Sequence, residues 1–119
     1  MTTVLVATRD PVLLDQLTRL VAAAGATFVG AASAGAAARA WPASALVLVG
    51  PDVAEELAGL GPPRRPHVYV VAAGPVADSA FRVGLMIGAE QVVELPGGAA
   101  WLSGAMADLG VDRDRPRRL

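Results

Sequence analysis

Apolar and polar positions along this chain follow two rhythms: short unbroken apolar runs, and longer stretches in which apolar residues recur every three or four positions. The first run is Thr3-Val4-Leu5-Val6-Ala7-Thr8, apolar at consecutive positions in its middle, which suits a strand covered on both faces of a parallel sheet. Asp10-Pro11 follows and reads as an N-cap residue with a first-turn proline. Leu13, Leu14, Leu17, Leu20, Val21 and Ala24 then recur at helical spacing opposite Asp15, Gln16 and Arg19, with Gly25 at the C-cap position. The same alternation predicts a strand at Thr27–Ala31 and a short helix at Ala34–Ala40, stopped by Trp41-Pro42. It predicts a third strand at Ala45–Val49 with a helix from Pro51-Asp52 through Ala58. A fourth strand, His67–Ala72, precedes a helix at Val76–Ile87, and a fifth, Gln91–Glu94, precedes a helix at Ala99–Leu109. Gly61-Pro62-Pro63-Arg64-Arg65-Pro66 reads as a stiff loop.

Five strands alternating with five helices in 119 residues define an α/β fold with a doubly wound, five-stranded parallel sheet. The flavodoxin-like strand order 2-1-3-4-5 with right-handed crossovers follows. One domain over residues 1–110 is expected, and the Arg-rich stretch 111–119 reads as a linker or frayed end.

Composition narrows the function. Hydrophobic residues make up 54% of the chain, enough for a core. Twenty-five alanines and ten basic residues that are all arginine reflect coding bias more than chemistry. A formal net charge of −1 gives no basic field for nucleic acid, and no aromatic residues interleave with the arginines. The absence of cysteine removes disulfides, thiolate catalysis and zinc–thiolate sites. No basic leader and no apolar run of about 18 residues is visible, so a cytoplasmic domain without membrane insertion is expected.

Motif by motif, small-molecule chemistry finds little support. Ala7-Thr8-Arg9-Asp10 has no glycine where a dinucleotide pyrophosphate would approach. Gly30 and Gly35 have P-loop spacing, but Ala36-Ala37 stands where Lys-Ser/Thr is needed. Pro96-Gly97-Gly98 reads as a plain loop before an anion nest. His67, the sole histidine, reads as an exposed edge residue at the start of a strand, and Arg64-Arg65 as part of a solvated loop. Asp10 and Asp52 read as helix-capping and first-turn acids. No metal, cofactor or catalytic residue is assigned.

Residues 3–109 resemble the receiver domains of two-component response regulators. The resemblance is carried by Val4-Leu5-Val6-Ala7-Thr8-Arg9-Asp10-Pro11 and by Gly88-Ala89-Glu90-Gln91-Val92-Val93-Glu94-Leu95-Pro96. Within receivers, Arg9-Asp10-Pro11-Val12-Leu13-Leu14, Leu46-Val47-Leu48-Val49-Gly50 and Val92-Val93-Glu94-Leu95-Pro96 are similar to the atypical N-terminal domain of the CpaE/TadZ Flp pilus assembly family. The actinobacterial septum site-determining branch, Ssd, is the nearest likeness. That family carries a MinD-like ATPase after this domain, and this chain stops before one.

A working receiver needs an acidic pair after strand one to hold Mg²⁺, an acceptor carboxylate after strand three, a hydroxyl after strand four and a lysine after strand five. The resemblance places Thr8 and Arg9 at the acidic pair, Gly50 at the acceptor, Ala72 at the hydroxyl and Leu95 at the lysine. It also implies that Pro96 is the structural cis-proline of receivers. The expectation is a non-phosphorylatable pseudoreceiver, not an enzyme.

The fourth helix is apolar nearly all round, with Arg82 its one charge after Asp78, so something should cover its outer face. Phe81, Leu85 and Met86, extended by Trp101 and Met106 on the last helix, are the expected interface. In receivers, helix four with strand five and helix five is the usual dimer and partner surface. The expected partners are proteins: a second copy, a MinD-like ATPase domain, or polar or septal proteins. The rival readings are a phosphorylatable receiver, separated by a phosphorylation assay, and a small-molecule sensor near Arg9, Gly50 and Ala72, separated by thermal-shift screening. DNA binding, the third, would show as a salt-dependent gel shift.

Overall fold

The computed structural model describes residues 2–114, with side-chain surroundings through Leu109. β1 (Thr3–Ala7) leads into α1 (Pro11–Ala23), where the Asp10 carboxylate caps the helix by accepting from the Val12 amide at 3.0 Å and Pro11 takes the first turn. Gly25, with φ of 69°, turns the chain out of the helix in the left-handed region where only glycine is unstrained. β2 (Thr27–Ala31) is followed by α2 (Ala34–Ala40), capped by the Ser33 hydroxyl on the Ala36 amide. β3 (Leu46–Val49), α3 (Pro51–Gly59), β4 (Val68–Ala72), α4 (Asp78–Ile87), β5 (Gln91–Glu94) and α5 (Ala99–Asp114) complete the order.

All pairings are parallel and the strand order is β2-β1-β3-β4-β5, the expected doubly wound sheet. β1, β3 and β4 are buried on both faces, which is why they read as continuous apolar runs. Two cores result. On one face Leu5, Val47, Val49 and Val70 meet Ala37 of α2, Val53 and Leu57 of α3 and Ile87 of α4. On the other, Val4, Val6, Leu48 and Val71 meet Leu13 and Leu17 of α1 and Leu102 and Met106 of α5.

Several expectations need correction. His67 is no strand residue at an edge: β4 is interior, and His67 stands one position before it with φ of 61°, its amide donating to Glu90 Oε2 at 2.7 Å. Arg65 is not a solvated loop residue. Its guanidinium donates to the carbonyls of Trp41, Ser44, Ala45 and Pro66, tying the Pro-rich loop to the α2–β3 connection. Partial burial lowers its pKa from the usual arginine value. Trp41, which ends α2, is buried and donates through Nε1 to the Pro63 carbonyl at 2.9 Å. α4 starts at Asp78, two residues later than its apolar pattern suggests, because Ala77 is still extended at its N-cap. α5 runs on to Asp114, five residues beyond the predicted end and into the stretch read as a tail. Residues 115–119 of that stretch lie outside the described residues.

Candidate functional site

The carboxyl ends of β1 and β3 bring together the residues assigned to the phosphorylation site. Gly50 follows β3, donates its amide to the Ala7 carbonyl at 2.8 Å, and caps α3 through its own carbonyl, which accepts from Val53 and Ala54. Thr8, 3% exposed, donates its hydroxyl to Asp52 Oδ1 at 2.8 Å and accepts from the Asp10 amide at 3.0 Å. The second Asp52 oxygen accepts the Arg9 amide at 2.7 Å. Asp52 is therefore more than a first-turn acid, because it bridges the β1–α1 turn to α3.

This bridge fills the space beside Gly50. A Cβ built there would stand 2.5 Å from Asp52 Oδ1, 2.7 Å from Thr8 Oγ1 and 3.0 Å from Leu13 Cδ2. Those separations are well inside van der Waals contact, so no side chain fits without moving its neighbours.

The Arg9 guanidinium closes the same edge. It pairs with Glu56 Oε1 at 2.6 Å and donates to the carbonyls of Asp52 at 3.1 Å and Ala32 at 3.2 Å, joining the turns after β1 and β2 to α3. The hydrogen bond and charge of Glu56, with Asp52 adding less, raise the Arg9 pKa further above its usual value. Sequence reasoning missed Glu56 altogether. The available signal was its place one helical turn after Asp52, which sets both acids on one face of α3.

Ala72 and Leu95 sit across the edge on β4 and after β5, joined by a Leu95 amide to Ala72 carbonyl bond of 2.8 Å. Both are buried, Leu95 in the core beneath α5, and they offer neither hydroxyl nor ammonium. The Leu95-Pro96 bond is cis. Receivers use a divalent cation at this edge, and the residues here do not suit one. The Asp52 carboxylate accepts from Thr8 and Arg9, Glu56 is paired with Arg9, and the Arg9 guanidinium supplies a cation already. Among the described residues no three histidine, aspartate or glutamate side chains gather as metal ligands.

Away from this edge, α4 lays Ala80, Gly84 and Ile87 on the sheet. Phe81, Leu85 and Met86 face outward, Leu85 being 73% exposed. Met86 borders the cleft between α3 and α4 with Pro51 and Arg82. Trp101, 46% exposed, rises from α5, packed edge-to-face on Tyr69 with ring centroids 5.1 Å apart. Met106 is buried under α5 and does not extend the exposed surface, because its position on the helix turns it into the core.

Residues 7–118 match the family described as Rv3660c-like, CheY-like N-terminal domain. A Mycobacterium tuberculosis protein, Rv3660c, is 32% identical over 88 residues, which cover 73% of this chain and 25% of that protein. The matched region thus spans about a quarter of the length of that relative. Among solved structures, a CheY-like receiver domain from Methanospirillum hungatei superposes with a TM-score of 0.68 at 19% identity, covering 98% of this chain and 99% of that one. The receiver domain of Ssk1 from Saccharomyces cerevisiae, crystallised with the phosphotransfer protein Ypd1, gives 0.62 at 14% identity, covering 94% of this chain and 90% of that one. At these identities the structural likeness speaks for the receiver fold.

Proposed function

The chain belongs to the family of Rv3660c-like, CheY-like N-terminal domains, and we propose that it is a receiver-like docking module that does not take a phosphoryl group. One observation carries this reading: the space for a side chain at Gly50 is occupied by Asp52 Oδ1 and Thr8 Oγ1. A glycine has no side-chain oxygen to phosphorylate, and the neighbouring acid is engaged in holding the fold together. The cation that would neutralise a phosphoryl group is replaced by Arg9, a fixed charge already paired with Glu56. Such a domain acts by a constant surface, offered by Phe81 and Leu85 on α4, rather than by a chemical switch.

The resemblance to CpaE/TadZ proteins and their Ssd branch supports a finer version of this reading. In it, the domain is the cytoplasmic localising module of a longer protein, recruiting a second copy, a MinD-like ATPase domain or a polar or septal protein. Among the described residues no helix is long and apolar enough to cross a membrane. Incubation with acetyl phosphate and Mg²⁺ followed by intact-mass spectrometry tests the core of the proposal. The expected spectrum shows the unmodified mass alone, and a stable phosphoryl adduct would return the domain to the phosphorylatable receivers.

A further inference from the structure

β5 is the last strand of the sheet, hydrogen-bonded to β4 on one side and, among the described residues, free of any strand on the other. A cleft of about 490 Å³ runs along it, bounded by the Pro96-Gly97-Gly98 turn and by Trp101. The turn lies flat against the strand because residue 98 has no side chain: a Cβ there would stand 2.5 Å from Val93 Cγ1 and 3.0 Å from the Glu94 carbonyl. The Gly98 amide donates to that carbonyl at 2.7 Å, so this end of the cleft is built rather than loose. Trp101 is held too, by its edge-to-face contact with Tyr69. Beyond Trp101 a second hollow of about 400 Å³ continues beside α5 past Gly104 to Asp108.

We propose that this paired cleft, with Trp101 between its halves, docks an extended segment of a partner protein in which arginine or lysine alternates with apolar residues. The inference rests on reading the domain as a docking module, and it names the partner's chemistry at β5 and α5, where no described α4 residue lines either hollow. Shape selects an extended chain, since a free parallel-sheet edge offers backbone groups to an added strand and little room for a helix. Charge selects a basic one. Glu94 lines the first hollow and Asp108 the second, and among the described residues no arginine lines either. Glu90 lies close enough to Tyr69 to add to the rise in its pKa that burial begins, which marks the same negative field. A guanidinium laid on the exposed indole of Trp101 and paired with Glu94 satisfies both features together. A second copy pairing through its own β5 would instead bring another Glu90 and Glu94 to the same edge, which like charge disfavours.

The test is a nitrogen–proton NMR titration of the chain with a capped peptide of alternating valine and arginine, beside one of alternating valine and glutamate. The basic peptide is expected to shift the Trp101 indole and the Val92 and Glu94 amides. The Trp41 indole, buried and bonded to Pro63, should stay in place. Glu94→Gln, an exposed change that leaves the fold alone, should weaken binding roughly threefold to tenfold, as expected for one charge-assisted contact. Trp101→Ala should abolish the shifts. Equal shifts with the acidic peptide, no shift with either, or indifference to Glu94→Gln would overturn the proposal. So would dilution-dependent shifts of the same resonances without peptide, which would make a second copy the occupant. A phosphoryl adduct in the mass assay strikes at the docking-module reading and leaves the peptide result untouched, so the two failures are told apart.

Discussion

The carboxylate of Asp52 occupies the place a side chain at Gly50 would take, with Oδ1 only 2.5 Å from the position of a Cβ there. The two residues are neighbours in the chain but meet through α3, whose first turn swings Asp52 back over the end of β3 to accept from Thr8 and Arg9. An acidic residue placed at position 50 would therefore meet the Asp52 carboxylate in the same space.

Gly50→Ala should destabilise the fold by about 1–3 kcal/mol, the usual cost of overpacking. Asp52→Ala should cost a similar amount, about 1–3 kcal/mol, because the buried Thr8 hydroxyl loses its acceptor. The double variant should cost less than the sum by at least about 0.5 kcal/mol, since removing Asp52 vacates the space the new methyl needs. Urea unfolding of the four proteins measures the coupling, and simple additivity would mean that the contact is not what excludes a side chain.

Arg65→Met should cost about 2 kcal/mol or more, and Arg65→Lys should recover little of it. The guanidinium serves the carbonyls of Trp41, Ser44, Ala45 and Pro66 at once, and an ammonium cannot present donors in that fork. Thermal unfolding of both variants checks this; full rescue by lysine would reduce the role of Arg65 to its charge.

Tyr69, the chain's single tyrosine, has its phenol pKa raised by burial and then by the charge of Glu90. The folded state thus holds the proton to higher pH than the unfolded chain does. Its contribution to stability is full below the unfolded value of about 10 and is lost as pH rises through the folded one. Ultraviolet titration should show the phenolate appearing later in the native protein than in urea, and Glu90→Gln should narrow the gap. Tyr69→Phe should flatten the alkaline loss of stability.

Leu85→Glu should leave unfolding within about 0.5 kcal/mol of the parent, because the side chain is 73% exposed and makes little of the core. The same change should abolish any concentration-dependent rise in mass seen by light scattering of the parent. A parent that associates and is unaffected by Leu85→Glu would remove α4 from the contact. A parent that is monomeric throughout would leave α4 to a different protein.

The sequence by itself determined the order and kind of every element. The signals are local: apolar runs for the strands, helical spacing in α1, and Asp10 with Pro11 starting it, each readable within a few residues. That Gly50, Ala72 and Leu95 stand where the resemblance places a receiver's acceptor, hydroxyl and lysine was readable in the same way, because it is a matter of which side chains those positions carry. How the polar groups around those positions are used was decided only by the tertiary structure. Thr8 meets Asp52 across 44 residues, Arg9 meets Glu56 across 47, and Arg65 reaches back to Trp41 across 24. Local spacing cannot show that a first-turn acid turns toward a neighbouring strand, or that a loop arginine is drawn inward to four carbonyls. Those outcomes depend on the parallel sheet placing β2, β1, β3 and β4 side by side. That order brings the turns after β1, β2 and β3 to one edge and the segments leading into β3 and β4 to the other, and requires their polar groups to satisfy one another.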